Sequence, residues 1–250
     1  MKVSQVGHWL FAVYCSAGCG SATQDANTAG SAGSSASSET SVHGELPSEF
    51  TIFPEKIWTG FDGVNTYRAP IIAVANKGEV KWTIDDPAIA TLDTNSVDPK
   101  AAAGGANLMI TATAAGKTMI HATDGTTTKD AVLEVIAYPA AQWEAGKNRY
   151  ATGPDAMNPA CKECHAPGKG PDHTPTELDA DTDEEIRNTF VTGKDPEGRP
   201  VDYEMEYTML LKGYDHMWKV TEDEKVGLVA YLRSLKPLHF PEYDEATTQK

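Results

Sequence analysis

Two cysteines and a histidine stand close together in the segment Cys161-Lys162-Glu163-Cys164-His165. Two thiols at this spacing, followed directly by an imidazole, are typical of a c-type haem attachment site. One turn of chain lets both sulfurs reach the two vinyl edges of one porphyrin while the next side chain swings beneath the iron. The segment therefore predicts one covalent haem c, bonded through Cys161 and Cys164, with His165 as the proximal iron ligand.

A zinc site and a redox dithiol are the other chemistries open to this segment. A closed zinc site takes four ligands, but the other cysteines, Cys15 and Cys19, lie near the N-terminus, so His173 and an acidic residue would have to complete it. A thioredoxin-like dithiol lies between a strand and a helix, whereas Gly and Pro residues stand on both sides here. The sequence favours haem over zinc, and zinc over the dithiol.

The N-terminus has the pattern of an export signal. Lys2 precedes an apolar run over residues 6–14 that is too short to span a membrane and is typical of a signal peptide. Ala17-Gly18-Cys19 resembles the end of a bacterial lipobox, in which Cys19 would receive lipid; ordinary cleavage near Gly18 is the alternative. We expect a signal peptide over residues 1–19 and an exported protein in the periplasm or at the cell surface, anchored to the outer membrane as a lipoprotein.

Composition identifies the segments between the folded regions. Residues 20–45 are rich in Ser, Ala, Gly and Thr, which bury too little apolar surface to offset the entropy of ordering, so a flexible tether is predicted. A second flexible segment is expected at residues 241–250. The net charge of −15 argues against nucleic acid as a partner.

Residues 46–138 alternate apolar and polar side chains in short runs separated by turn residues, the pattern of an all-β sandwich. Three segments resemble the bacterial Ig-like family of the second type: Val80-Lys81-Trp82, Asp86-Pro87-Ala88-Ile89-Ala90, and Ile110-Thr111-Ala112-Thr113-Ala114-Ala115-Gly116-Lys117. The resemblance implies a spacer or adhesion module with Trp82 in its core. His121 stands in a strand pattern and is expected to be a partly buried packing residue, not a metal ligand.

Residues 139–240 change to helical periodicity. A helix is predicted around residues 140–150, and capping boxes at Thr182-Asp183-Glu184-Glu185 and Thr221-Glu222-Asp223-Glu224 predict two more. The pattern AGKxxY, the haem motif and the segment VGLVAYLRSL together resemble the class I (monohaem) cytochrome c family, over about residues 140–238. The resemblance implies an all-α domain whose first and last helices cross at Gly146.

The same resemblance implies a second axial ligand for the iron. Met217, just before the last helix, is the first choice, with His216 and Met209 as alternatives; a thioether would give a higher reduction potential than a second imidazole. The resemblance also implies that the carbonyl oxygen of Pro175 accepts the N–H of His165 and so orients the imidazole.

The expected fold class is multidomain, an N-terminal all-β Ig-like sandwich followed by an all-α cytochrome c domain. The predicted function is that of an exported, membrane-tethered monohaem c-type cytochrome, not an enzyme, that carries single electrons between redox partner proteins. Two alternatives stay open. One is a haem enzyme or gas sensor with an open or labile sixth position, and the other is an envelope adhesion or scaffold protein in which the Ig-like domain does the binding.

Overall fold

The computed structural model describes residues 49–74, 79–93, 105–153, 160–165, 172–199 and 218–238. The described residues all belong to one unit, Gly44–Lys250. The predicted signal peptide and tether, Cys19, and the predicted sixth ligands Met217, His216 and Met209 lie outside the described residues.

Eight strands form two four-stranded sheets within these ranges. The first sheet has the order β1-β3-β6-β5 and the second the order β2-β8-β7-β4. Neighbouring strands are antiparallel except β2 and β8, which are parallel. The strands are β1 Thr51–Phe53, β2 Lys56–Phe61, β3 Arg68–Val74, β4 Lys81–Ile84, β5 Ala90–Asp93, β6 Gly105–Ala112, β7 Gly116–Thr123 and β8 Thr128–Ala137.

The core of the sandwich follows from side-chain alternation. In β7, Thr118, Ile120 and Ala122 are buried while the residues between them are partly exposed, and β8 alternates in the same way. Because successive side chains of a strand point to opposite faces, each sheet directs one apolar row inward. Trp82 lies in this core, as predicted.

Two strands were missed by the sequence patterns. β2 buries Ile57 but also the consecutive Thr59 and Gly60, so it lacks the strict alternation that identifies a strand. Its partner β8 lies far along the chain, and a pairing of this range leaves no local sequence signal. β5 follows the Asp86-Pro87 turn and pairs with β6.

Five helices lie in the described part of the chain, between 4 and 12 residues long. The capping boxes predicted for α4 and α5 are confirmed, since Thr182 Oγ1 accepts the N–H of Glu185 and Thr221 Oγ1 accepts that of Glu224. α4 ends at Gly193, whose φ of 66° favours glycine. The helices are α1 Ala140–Ala151, α2 Cys161–His165, α3 Pro175–Leu178, α4 Asp183–Thr192 and α5 Glu222–Arg233.

Helices α1 and α5 cross at two glycines. A Cβ on Gly146 would lie 1.9 Å from the carbonyl carbon and oxygen of Gly227, and a Cβ on Gly227 would lie 1.9 Å from the carbonyl oxygen of Gln142. Beside the crossing, the rings of Tyr150 and Tyr231 are 5.2 Å apart. The close approach predicted at Gly146 is present, and no side chain fits at either glycine.

Arg233, which is 1% exposed, joins the helices to the sandwich. Its Nη1 donates to the carbonyl oxygens of Trp58 in β2 at 2.7 Å and of Leu178 at 3.2 Å. Its Nη2 donates to the carbonyl oxygen of Asp181 at 2.7 Å, and its Nε to Oδ1 of Asp183 at 2.9 Å. These four hydrogen bonds are called the Arg233 joint below.

Further contacts surround the joint. The hydroxyl of Tyr138, just after β8, donates to Oδ2 of Asp183 at 2.7 Å. The backbone N–H of Trp58 donates to the carbonyl oxygen of Asp179 at 2.8 Å. Tyr67 and Tyr138 share one hydrophobic cluster with buried residues of α4 and α5, including Leu228. The sandwich and the helices therefore share a core.

The predicted fold class is wrong. The described chain is mostly β-sheet with a few short helices, and no all-α cytochrome c domain is evident in it. Helical periodicity identified the helices, but it cannot show what their apolar faces pack against. Tyr67 and Tyr138 of the sandwich region supply part of that surface, so the helices form a layer on the sandwich.

Gly146→Ala is expected to lower the free energy of unfolding by about 1–3 kcal/mol, because the added methyl group would push the backbones of α1 and α5 apart. Urea unfolding of the purified chain measures this change. Asn148→Ala, at an exposed position of the same helix, is the matched control and should change stability by less than about 0.5 kcal/mol. Equal stability of Gly146→Ala and the wild type would contradict the close crossing.

Candidate functional site

Cys161, Cys164 and His165 all lie on the short helix α2. Both cysteines are partly exposed and neither forms a disulfide among the described residues, and their spacing places them on one face of the helix. The hydroxyl of Tyr150 in α1 donates to the carbonyl oxygen of His165 at 3.4 Å, which ties α2 to α1. Two thiols and an imidazole on one helical turn have the spacing that attachment of one porphyrin requires. Covalent haem c at these residues stays a prediction.

His173 lies against the ring of His165. The two ring centroids are 3.5 Å apart with an interplanar angle of 19°, and Tyr150 meets His173 edge-on at 6.3 Å. Nitrogen lone pairs lie in the plane of an imidazole, so two stacked rings do not direct them to a common point. Among the described residues, no group of three or more His, Cys, Asp or Glu side chains could hold a metal ion. The zinc alternative gains no support from this geometry.

Pro175 is buried and opens α3. Its carbonyl oxygen accepts the N–H of Asp179 at 3.0 Å, a bond within the turn of α3. Acceptance of the His165 N–H by the same carbonyl oxygen stays a prediction.

Arg149 is a functional candidate that the sequence patterns did not single out. It is 5% exposed, its Cζ lies 4.9 Å from the ring centroid of Trp218, and its Nη1 lies 3.5 Å from the carbonyl oxygen of Thr152. Burial raises the pKa of the Cys161 thiol to about 12, and the positive charge of Arg149 opposes that rise. In the AGKxxY pattern Arg149 occupies an unspecified position, and only the structure shows that it is buried.

His121 bridges two carboxylates on the outer face of the second sheet. Its Nδ1 lies 2.7 Å from Oδ1 of Asp130 and its Nε2 lies 2.9 Å from Oδ1 of Asp85, with 30% of the side chain exposed. Hydrogen bonds to Asp130 and then to Asp85 raise the pKa of His121 above its ordinary value. His121 is therefore partly buried, as the sequence predicted, and it forms a charge cluster with the two carboxylates at the surface.

The His121 cluster predicts a pH-dependent stability. Because the folded-state pKa of His121 is raised, the cluster contributes to the free energy of unfolding. This contribution is fully present below the unfolded-state pKa of about 6.5 and is lost as the pH rises through the folded-state pKa. For so exposed a cluster we expect a few tenths of a kcal/mol up to about 1 kcal/mol, measured by urea unfolding at about pH 6 and pH 9.

His121→Gln should abolish this pH-dependent difference. Glu134→Gln, which removes an exposed partner of Lys117 on the neighbouring strand, should leave it unchanged. The same pH dependence in His121→Gln as in the wild type would show that another group is responsible.

A comparison with protein families matches residues 69–135 to the family described as Bacterial Ig-like domain (group 2). This part of the chain, from β3 into β8, is therefore a bacterial Ig-like domain, as predicted. No match to a cytochrome c family was found, and no curated protein matches the chain.

Several solved structures are similar to part of the chain. The S-layer protein SbsC, domains 4 and 5, is 18% identical, with 36% of this chain and 51% of that chain covered and a TM-score of 0.30. SbsC domains 1–6 is 17% identical, with 36% and 13% covered and a TM-score of 0.30. A chimeric titin Z1Z2 functionalized with an exogenous peptide from decorin is 19% identical, with 36% and 94% covered and a TM-score of 0.22. The chain spans about half or less of these two S-layer structures, and likenesses with such TM-scores carry no argument about function.

The predicted function as a single-electron carrier is wrong on these findings. The family match lies in the Ig-like region, no match to a cytochrome c family was found, and among the described residues no group of three or more His, Cys, Asp or Glu side chains could hold a metal ion. The error has a physical origin, since a five-residue motif and two crossing helices are local features that do not determine a domain. The findings favour the envelope adhesion or scaffold alternative.

The location of the protein is determined only in general terms. A bacterial Ig-like domain that follows a signal-peptide pattern indicates an exported or cell-surface protein. In the part of the chain that the structure describes, none of the helices has the length and hydrophobicity of a membrane span.

The haem prediction can be tested on the thiols themselves. If both sulfurs are bonded to a porphyrin, neither Cys161 nor Cys164 should react with iodoacetamide after denaturation and reduction, because thioether bonds are not reduced. Peptide mass spectrometry of the segment over residues 161–165 measures this. Alkylation of both cysteines in protein purified from the envelope would contradict covalent haem and leave two free thiols.

Proposed function

We propose that this chain is a cell-envelope protein whose Ig-like domain serves adhesion or scaffolding. The observation that carries the proposal is the match of residues 69–135 to the bacterial Ig-like family. An Ig-like sandwich has a rigid frame with variable loops at its two ends, which suits binding and spacing without catalysis. The proposal therefore includes no enzymatic activity.

The Arg233 joint supports a scaffolding role. Hydrogen bonds from Arg233 to a carbonyl oxygen of β2 and to the α3–α4 segment hold the helices against the sandwich. A flexible linker at this boundary would let the two parts reorient, whereas a shared core fixes α2 relative to the sheets. The Ig-like domain thus presents the Cys161–His165 helix in a defined position.

A lipid anchor at Cys19 is part of the proposal. The apolar run over residues 6–14 and the Ala17-Gly18-Cys19 segment support it, and the Ser/Ala/Gly-rich residues 20–45 supply a tether of the composition that keeps a domain away from a membrane surface. We propose attachment to the outer membrane, with the Ig-like domain free to bind envelope components.

Cell fractionation tests the anchor. The wild type should sediment with outer-membrane vesicles and be released by detergent, while Cys19→Ala should appear in the soluble fraction. Cys15→Ala is the matched control, since Cys15 lies inside the region that the signal peptidase would remove, and it should stay with the membrane. Wild-type protein in the cytoplasmic fraction would contradict export as well as anchoring.

A co-sedimentation assay tests adhesion or scaffolding. Purified protein without residues 1–45 should sediment with isolated cell-wall and outer-membrane fragments. The double variant Cys161→Ala, Cys164→Ala should sediment equally well, because the proposal assigns binding to the sandwich. Failure of the unmodified domain to sediment with either fragment, or loss of sedimentation on removal of the two thiols alone, would contradict the proposal.

A further inference from the structure

Two arginines of this chain are buried, and they differ in their partners. Arg233 is 1% exposed and its guanidinium donates to Asp183 and to three carbonyl oxygens. Arg149 is 5% exposed, yet its Nε and Nη2 are buried atoms without a hydrogen-bond partner among the described residues. The contact from its Nη1 to the carbonyl oxygen of Thr152, at 3.5 Å, is long. Among the described residues, Arg149 lacks an anionic partner like the one that Arg233 has in Asp183.

The two unpartnered nitrogens of Arg149 form one edge of its guanidinium. Nε–H and the N–H of Nη2 on that edge point in the same direction, which is the arrangement that binds both oxygens of a carboxylate. The carbonyl oxygen of Thr152 lies near Nη1, which is not part of this edge. Within the described part of the chain the Nε–Nη2 edge of Arg149 has no acceptor, while Nη1 lies near a backbone carbonyl oxygen.

The charge of Arg149 cannot be removed by loss of a proton. Asp179 is also buried with an unpartnered oxygen, but burial raises its pKa, so this carboxyl can become neutral. A guanidinium remains protonated under all conditions that proteins experience. A buried, unpaired guanidinium is strongly unfavourable, so binding of an anion would stabilise Arg149.

Trp218 orients this guanidinium. The Cζ of Arg149 lies 4.9 Å from the Trp218 ring centroid, and the backbone N–H of Trp218 donates to the carbonyl oxygen of Phe190 at 2.9 Å, which anchors Trp218 to the end of α4. Contact with the ring restrains the guanidinium plane, and the positive charge of Arg149 opposes the rise that burial causes in the pKa of Cys161. The site is therefore on α1, whose next residue, Tyr150, donates to the carbonyl oxygen of His165 in α2.

We propose that Arg149 anchors a carboxylate-binding site on α1 near helix α2, with Nε and Nη2 donating to the two oxygens of one carboxylate. The carboxylate could belong to a free small molecule or to a group attached through Cys161 and Cys164, and both present the same chemistry to Arg149. The proposal does not depend on the adhesion or scaffold function.

Thermal unfolding of the full chain in sodium acetate and sodium succinate tests the site, with sodium chloride at equal ionic strength as the reference. For a free ligand, the unfolding temperature should rise in a saturable way with carboxylate and not with chloride. Arg149→Leu should abolish the rise. Arg149→Lys keeps the charge but not the paired donors, and it should weaken the apparent affinity by about tenfold to a hundredfold. If Arg149→Leu does not fold, the affinity of Arg149→Lys for carboxylate still tests the proposal.

Lys147→Met is the matched control, because Lys147 is a cation of the same helix with an exposed side chain over Trp143. It should leave the response to carboxylate unchanged. An equal loss in Lys147→Met and Arg149→Leu would show a general charge effect and overturn the proposal.

A group attached through the thiols is distinguished by the intact mass of the purified protein. If the mass shows such a group, acetate should have no effect on the wild type, because the edge is occupied, and a saturable response should appear in the Cys161→Ala, Cys164→Ala double variant. Adding Arg149→Leu to that variant should remove the response. The absence of a saturable carboxylate response in both the wild type and the double variant, or its persistence in Arg149→Leu, would overturn the proposal.

Discussion

Burial of the positive charge of Arg233 is the constraint on which the rest of this structure depends. A guanidinium that is 1% exposed must have its donors satisfied, and here the acceptors come from β2, from the α3–α4 segment and from the side chain of Asp183. Loss of one partner of a buried ion pair is unfavourable by about 3–5 kcal/mol, because the other charge remains without solvent. The helices can therefore reach their native packing only when the sandwich is in place to accept these hydrogen bonds.

The remaining features follow from this joint. Arg233 ends α5, so the joint fixes that helix, and the contact of Gly227 with Gly146 then fixes α1. The hydroxyl of Tyr150 on α1 reaches the backbone of His165, and through it the thiol-bearing helix is oriented. A continuous series of contacts thus connects the Ig-like sheets with α2, which is the arrangement expected of a scaffold that presents one segment in a defined position.

Short sequence patterns predicted much of this molecule because strand alternation and helix capping depend on residues that are close together in the chain. Alternation identified β7 and β8, side-chain capping identified the starts of α4 and α5, and the lack of a side chain at Gly146 indicated a close helix crossing. The parallel pairing of β2 with β8 and the burial of Arg149 and Arg233 depend on residues far apart in sequence, which single-residue spacing does not reveal. The same limitation explains the wrong fold class, because helical periodicity predicted the helices but gave no information about the sheet surface on which they pack.

The central claim is that the sandwich and the helices form one cooperative unit. Hydrogen exchange at increasing urea concentration, followed by mass spectrometry on peptides from β8 (Thr128–Ala137) and α5 (Glu222–Arg233), tests it most directly. One unit with a shared core predicts that the slowest amides of both peptides become exposed with the same urea midpoint and the same dependence on urea. Separate midpoints, with α5 opening while β8 stays protected, would show two independent units and contradict the account.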